Sequence, residues 1–149
     1  MLEQGEDLIE MQKALKAAGF RMSSQRKAII EHLDSNKTHP SARRILEEVR
    51  QKHPDLSLAT VYNTLGVLTR LGQIKVMQFD GADNRYEPNV EPHINLICTL
   101  CGSIDDLGES ISVGAEKIMS EAGFEVFDSR LEFYGLCAKC RAGKRPQSE

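Results

Sequence analysis

Two C-x2-C pairs, Cys98 with Cys101 and Cys137 with Cys140, are separated by 35 residues and hold every cysteine of the chain. Two knuckles of this spacing, brought together, supply four thiolates to one tetrahedral zinc. Disulfides fit a reducing compartment poorly, and a dithiol redox motif would leave one pair idle. Four sulfurs leave no open position for a substrate or water, so such a zinc is structural. It contributes on the order of 10 kcal/mol to folding, enough to support a module of about 60 residues with a thin core. The H-x-E that precedes P-C-x-x-C in nucleobase deaminases is missing, and no paired acid and nucleophile points to an enzyme or to a small organic substrate.

The charge is unevenly placed. Residues 13–75 hold 12 Lys/Arg against 5 Asp/Glu, whereas residues 76–149 hold 7 against 13. An acidic total argues against nucleic acid as a partner; a basic half-chain restores it. No apolar run approaches the ~20 residues of a membrane span. The start, MLEQGEDLIEMQK, lacks the basic and then apolar blocks of a secretory signal. The expectation is a cytoplasmic protein with no membrane partner.

The basic half reads as helices followed by a hairpin. Leu8, Met11, Leu15 and Ala18 recur at helical spacing before Gly19. Ser23 or Ser24 caps a helix with Ala28, Ile29 and Leu33 on its apolar face, and Ser41 caps one with Ile45, Leu46 and Val49 inward. Ser57 caps a fourth, striped by Leu58, Val61, Leu65 and Leu68 and closed by Gly72. Two short strands then flank the turn at 80–83. This pattern predicts an α+β chain: a winged helix-turn-helix over 1–84, then a small α/β domain over 85–149 bearing the four-cysteine zinc. The helix before the hairpin is the reader, its polar side offering Ala59, Thr60, Tyr62, Asn63 and Thr64 to base edges in a major groove. The alternative is an ordinary packing unit with Tyr62 in the core. In the acidic half, strands are expected at 94–98 and 102–105, a helix around 110–122 ended by Gly123, and a long strand over 124–137.

Residues 57–65 (SLATVYNTL), 93–102 (HINLICTLCG) and 131–140 (LEFYGLCAKC) resemble the ferric uptake regulator family, as do the S-x-Q-R element at Ser23–Arg26 and H-P-S-A at His39–Ala42. The resemblance implies a dimeric, metal-dependent repressor that binds palindromic double-stranded operators when a regulatory metal joins its two domains. It implies Arg21 near the minor groove, with Thr60, Tyr62 and Asn63 in the major groove; Arg26, Arg43 and Arg44 suit phosphates or surface ion pairs.

The family's regulatory ligands map onto His39, Glu87, His93, Asn95 and Asp106, with one departure: Asn95 stands where the second histidine of an H-x-H pair belongs. Taken singly, His39 reads as a cap for the next helix, His93 as an ordinary strand histidine, and Glu87 and Asp106 as solvated charges. Together they form a nitrogen and oxygen site that suits Fe(II), Mn(II) or Zn(II). Asn95, or Glu91 on the same face, tilts it further towards oxygen donors and away from Zn(II). With four histidines in the chain, one structural and one regulatory metal are expected per subunit. Asn63 and the H-P-S-A element resemble the peroxide-sensing branch, in which oxidation of a ligand histidine ends repression; Glu87 resembles the iron-uptake branch. A zinc-stapled protein-interaction module without DNA binding is the remaining alternative.

Overall fold

The computed structural model describes residues 5–36, 38–79, 81–91, 93–107 and 114–143. Two compact units divide the chain, Met1–Val90 and Glu91–Glu149.

The first unit orders α1 (Glu6–Ala17), α2 (Ser24–Ser35), α3 (Ala42–Val49) and α4 (Leu58–Arg70) before the antiparallel hairpin of β1 (Lys75–Met77) and β2 (Arg85–Glu87). Local chemistry sets these boundaries. The hydroxyls of Ser23, Ser41 and Ser57 accept from the backbone N–H of Arg26, Arg44 and Thr60, each three residues on, which satisfies an orphan donor and contributes about 1 kcal/mol per cap. Gly19 and Gly72 take positive φ. The carbonyls of Lys16 and Leu15, and of Thr69 and Leu68, accept from the two amides beyond each helix, the double closure a left-handed glycine permits.

Ile29, Ile30, Leu33, Ile45, Leu65 and Leu68 lose all contact with water at the meeting of α2, α3 and α4, with Met11 and Leu15 of α1 against them. Each such side chain stabilises the fold by about 1.5–3 kcal/mol. Ala18 is exposed rather than packed, because it is the C-cap of α1. The first compact unit includes β2 and runs to Val90, since β2 is laddered to β1 and Tyr86 is buried in the helical core. Asp80 of the hairpin turn lies outside the described residues.

The second unit is a three-stranded sheet of order β4-β3-β5. β3 (Ile94–Cys98) is central, antiparallel to β4 (Ile104–Leu107) and parallel to β5 (Leu131–Gly135). α5 (Ala115–Ala122) ends at Gly123, as the sequence predicts, and α6 (Ala138–Gly143) follows β5. The start of the expected helix, 110–113, lies outside the described residues. The long strand over 124–137 shrinks to five residues. Its ladder begins where Leu131 meets Ile94, the first residue of β3, so nothing on β3 remains to pair with 124–130. Phe124 and Phe127 are exposed there. Among the described residues, no helix is long and apolar enough to cross a membrane.

Candidate metal centres

The sheet of the second unit builds the cysteine cluster. β3 and β5 run parallel with Cys98 opposite Gly135, so their ends deliver both C-x2-C pairs to the same edge. Gly102, at φ 76°, turns the chain after Cys101, and its N–H donates back to the Cys98 carbonyl at 3.0 Å. Gly135 is the last residue of β5, and its carbonyl accepts from Thr99 N–H at 2.8 Å. Cys140 comes from α6, a helix the sequence does not announce.

The four sulfurs lie within 4.8 Å of one another, with Cys101 and Cys137 3.8 Å apart. Zinc–sulfur bonds of about 2.3 Å place tetrahedral ligands about 3.8 Å apart, so the cluster matches one zinc. No disulfide joins them; all four thiols are free. Backbone N–H groups of Cys101 and Cys137 pull the Cys98 thiol down to about 6, while hydrogen bonding to the Cys137 sulfur pushes Cys140 up to about 12. Four sulfur donors thus lie in place for a cation that displaces their protons.

The nitrogen and oxygen residues form two further groups, one in each unit. In the first unit, His39 lies in the loop before α3, buried, with φ 55°. That left-handed conformation costs a residue with a Cβ about 1–2 kcal/mol. Ser41, not His39, caps α3, so the imidazole serves another purpose: its Nε2 stands 2.8 Å from Oε1 of Glu87. Glu87 is no solvated charge; it lies on β2, only 2 % exposed. Its burial beside an imidazole is the property of a ligand pair or of a tightly held ion pair.

In the second unit, Nδ1 of His93 donates to the Glu91 carbonyl at 2.7 Å, which leaves Nε2 of the neutral ring with its lone pair outward. That atom stands 3.0 Å from Oδ1 of Asn95 and 3.5 Å from Oδ1 of Asp106. Asn95 and Asp106 are register partners across β3 and β4. One ring nitrogen and two side-chain oxygens thus converge, the donor types of a nitrogen and oxygen metal site. Adjacent donors around an octahedral ion with bonds of about 2.1 Å stand about 3.0 Å apart; the His39–Glu87 and His93–Asn95 separations fit that scale, and the His93–Asp106 one is longer. Glu91, considered as a side-chain ligand, acts on His93 through its backbone carbonyl.

The expected reading face of α4 is smaller than the sequence implies. Ala59, Tyr62 and Asn63 are exposed and Thr60 is half-buried. Tyr62 keeps 45 % of its surface in water rather than joining the core, whereas Thr64 keeps 1 %. Thr64 falls on the Val61–Leu68 stripe and satisfies its hydroxyl on the Thr60 carbonyl at 2.8 Å. Arg21 is exposed, its carbonyl held by Arg26 Nη1 at 2.7 Å. Arg43 faces Asp83 at 3.8 Å, an exposed pair of little energetic weight, and Arg44 pairs with Glu48 along α3.

Residues 17–134 match the profile of the Ferric uptake regulator family. The chain belongs to the ferric uptake regulator family. Among its relatives, the peroxide-responsive repressor PerR of Staphylococcus epidermidis is 33 % identical over 136 residues, covering 91 % of each chain. The Helicobacter pylori ferric uptake regulator, described as having three functional metal binding sites, shares the fold at a TM-score of 0.77 and 23 % identity, covering 99 % of this chain and 97 % of that one. PerR of Streptococcus pyogenes, described in terms of peroxide sensing and gene regulation, aligns at a TM-score of 0.53 and 28 % identity over 94 % of this chain and 98 % of that one. As a ferric uptake regulator family member, this chain carries the four-sulfur cluster and the two imidazole and oxygen groups.

One residue has no signal in the sequence at all. Arg85 of β2 donates from Nη2 to the Thr38 carbonyl at 2.8 Å and from Nε to the His39 carbonyl. Half-burial lowers its guanidinium from the ordinary value, as expected for a cation partly removed from water. Nothing in its sequence neighbourhood, one arginine in a short strand, announces backbone partners 46 residues away.

Proposed function

We propose that this chain is a metal-dependent repressor of peroxide-stress genes, binding palindromic operators as a homodimer when Fe(II) or Mn(II) occupies a regulatory site. The observation that carries this reading is the pair of incomplete donor sets, His39 with Glu87 and His93 with Asn95 and Asp106. Each unit supplies one imidazole and at least one carboxylate, too few for a six-coordinate ion. By the family resemblance, a regulatory ion would join the two domains, held by His39 and Glu87 from one and by His93, Asn95 and Asp106 from the other. Binding metal better in that state than in any other makes the ion an effector. Fixed spacing of two reading helices, in turn, is what a two-fold operator demands.

The roles of the chain's own residues follow. Glu87 and Asp106 supply negative charge to a dication, and the Glu91 carbonyl holds the His93 tautomer that leaves Nε2 as a donor. Tyr62, Asn63 and Thr60 address base edges, while Arg21 reaches for the minor groove. Zinc on Cys98, Cys101, Cys137 and Cys140 joins the ends of β3 and β5. Leu96 and Phe133, register neighbours on the sheet, are exposed, which supports a second copy of the chain as their cover. A four-thiolate zinc site suits a reducing cytoplasm. There is one structural and one regulatory metal per subunit, and no enzymatic turnover.

His39 and His93 would be among the residues holding iron at the regulatory site; the iron would supply the electrons that reduce hydrogen peroxide, and these two histidines would be its oxidisable ligands. The test is mass spectrometry of the iron-loaded protein after peroxide treatment. Addition of one oxygen to His39 or His93, with loss of operator binding, supports the reading; unmodified histidines overturn it. Glu87 favours a second reading, a repressor of iron uptake that answers to Fe(II) occupancy alone. Unmodified histidines together with Fe(II)-dependent operator binding would establish that one.

A further inference from the structure

Strand β2 holds the His39 loop from both sides. Arg85 and Glu87 are two residues apart on it and share a face; both act on His39, one through the backbone and the other through the ring. Tyr86, between them, is buried in the helical core and donates its N–H to the Pro40 carbonyl at 3.0 Å. Ser41 forms an isolated bridge with Arg85. The carbonyls of Thr38, His39 and Pro40 therefore all accept hydrogen bonds from one three-residue strand. His39 is the only residue other than glycine with positive φ among the described residues. A strained conformation of this kind persists only where its surroundings over-determine it.

We propose that Arg85 is a positioning residue for the regulatory metal: its guanidinium clamps the Thr38 and His39 carbonyls, keeps His39 left-handed, and so presents Nε2 beside Glu87. The inference rests on the reading of His39 and Glu87 as ligands. A guanidinium suits the task because its donors lie in one rigid plane and meet two successive carbonyls at once, which a lysine ammonium on a flexible stem does not. Released from the clamp, the loop relaxes towards ordinary φ and the ring leaves Glu87. Arg85 thus contributes to metal affinity without touching the metal, as groups that orient ligands do.

The experiment titrates Mn(II) against a competing chelator into the full chain with zinc on its cysteines, for wild type, Arg85→Met, Arg85→Lys and His39→Ala. Arg85→Met is expected to lose about tenfold in Mn(II) affinity, Arg85→Lys to fall between it and wild type, and His39→Ala to lose more than either. The His39 ring resonances of metal-free Arg85→Met should shift or broaden. A merely structural arginine would lower the unfolding midpoint and leave the folded protein's Mn(II) affinity unchanged. Wild-type affinity in Arg85→Met, with loss in His39→Ala, overturns the clamp alone. Wild-type affinity in His39→Ala overturns the ligand reading beneath it. Should Arg85→Met fail to fold, Arg85→Lys decides: wild-type affinity and unchanged ring resonances overturn the clamp.

Discussion

Nε2 of His39 stands 2.8 Å from Oε1 of Glu87 across 48 residues of chain, both side chains almost sealed from water. In the proposed function, this carboxylate, buried on β2 beside a strained histidine, is a ligand for the regulatory cation. Glu87→Gln keeps the shape and removes the charge. Mn(II) affinity should fall on the order of 10–100-fold, measured by chelator competition, with helical content unchanged. Undiminished affinity would remove Glu87 from the ligand set.

In the proposed function, Asn95 sets which metal is preferred. Its Oδ1 lies 3.0 Å from His93 Nε2, so the second unit offers one nitrogen and two oxygens where an H-x-H pair would offer two nitrogens. Imidazole suits Zn(II) better than a neutral amide oxygen does. Asn95→His should therefore raise Zn(II) affinity relative to Mn(II) at the regulatory site. An unchanged ranking of the two metals, from parallel competition titrations, would count against Asn95 as a ligand.

Asn63 is exposed on α4 beside Tyr62. Asn63→Ala should leave the unfolding midpoint nearly unmoved, as surface substitutions away from special features do. Operator affinity should drop about tenfold, within the ~1–3 kcal/mol of a good base contact. A drop in stability with DNA binding intact would make it a structural residue.

How legible this molecule is from sequence depends on whether the deciding partner lies near in the chain. Ser23, Ser41 and Ser57 reveal helix starts because each cap bonds three residues on, and Gly19 and Gly72 reveal ends for the same reason. The cysteine pairs announce a shared metal through spacing alone. Alternation over 124–137 misleads because strand pairing is non-local, and β3 offers only five partners. Thr64 reads as outward on residue type, although its position belongs to the buried stripe. The burial of Glu87 and the clamp by Arg85 stay hidden, since both depend on a loop that β2 meets only after folding.

His32 of α2 makes stability fall with acid. Burial lowers its pKa from the ordinary value of 6.5, against the opposing pull of Glu48, whose Oε2 stands 3.1 Å away. The folded state therefore binds fewer protons than the unfolded one between the lowered value and 6.5. Its contribution is full above 6.5 and is lost as pH falls through the folded value. Urea midpoints of His32→Gln should decline less than those of wild type between about pH 7 and pH 5, a range chosen to bracket roughly one unit about the histidine value. Parallel declines would show that His32 titrates alike in both states.

Operator affinity as a function of the exchangeable metal tests the central claim most directly. Fluorescence anisotropy with DNA from upstream of the chain's own gene would compare zinc-loaded protein after chelation of the labile ion with the same protein given Mn(II). The account predicts binding at least about tenfold tighter with Mn(II), a coupling in the usual range of 1–3 kcal/mol, and its loss on renewed chelation. Equal affinity in both states would contradict it.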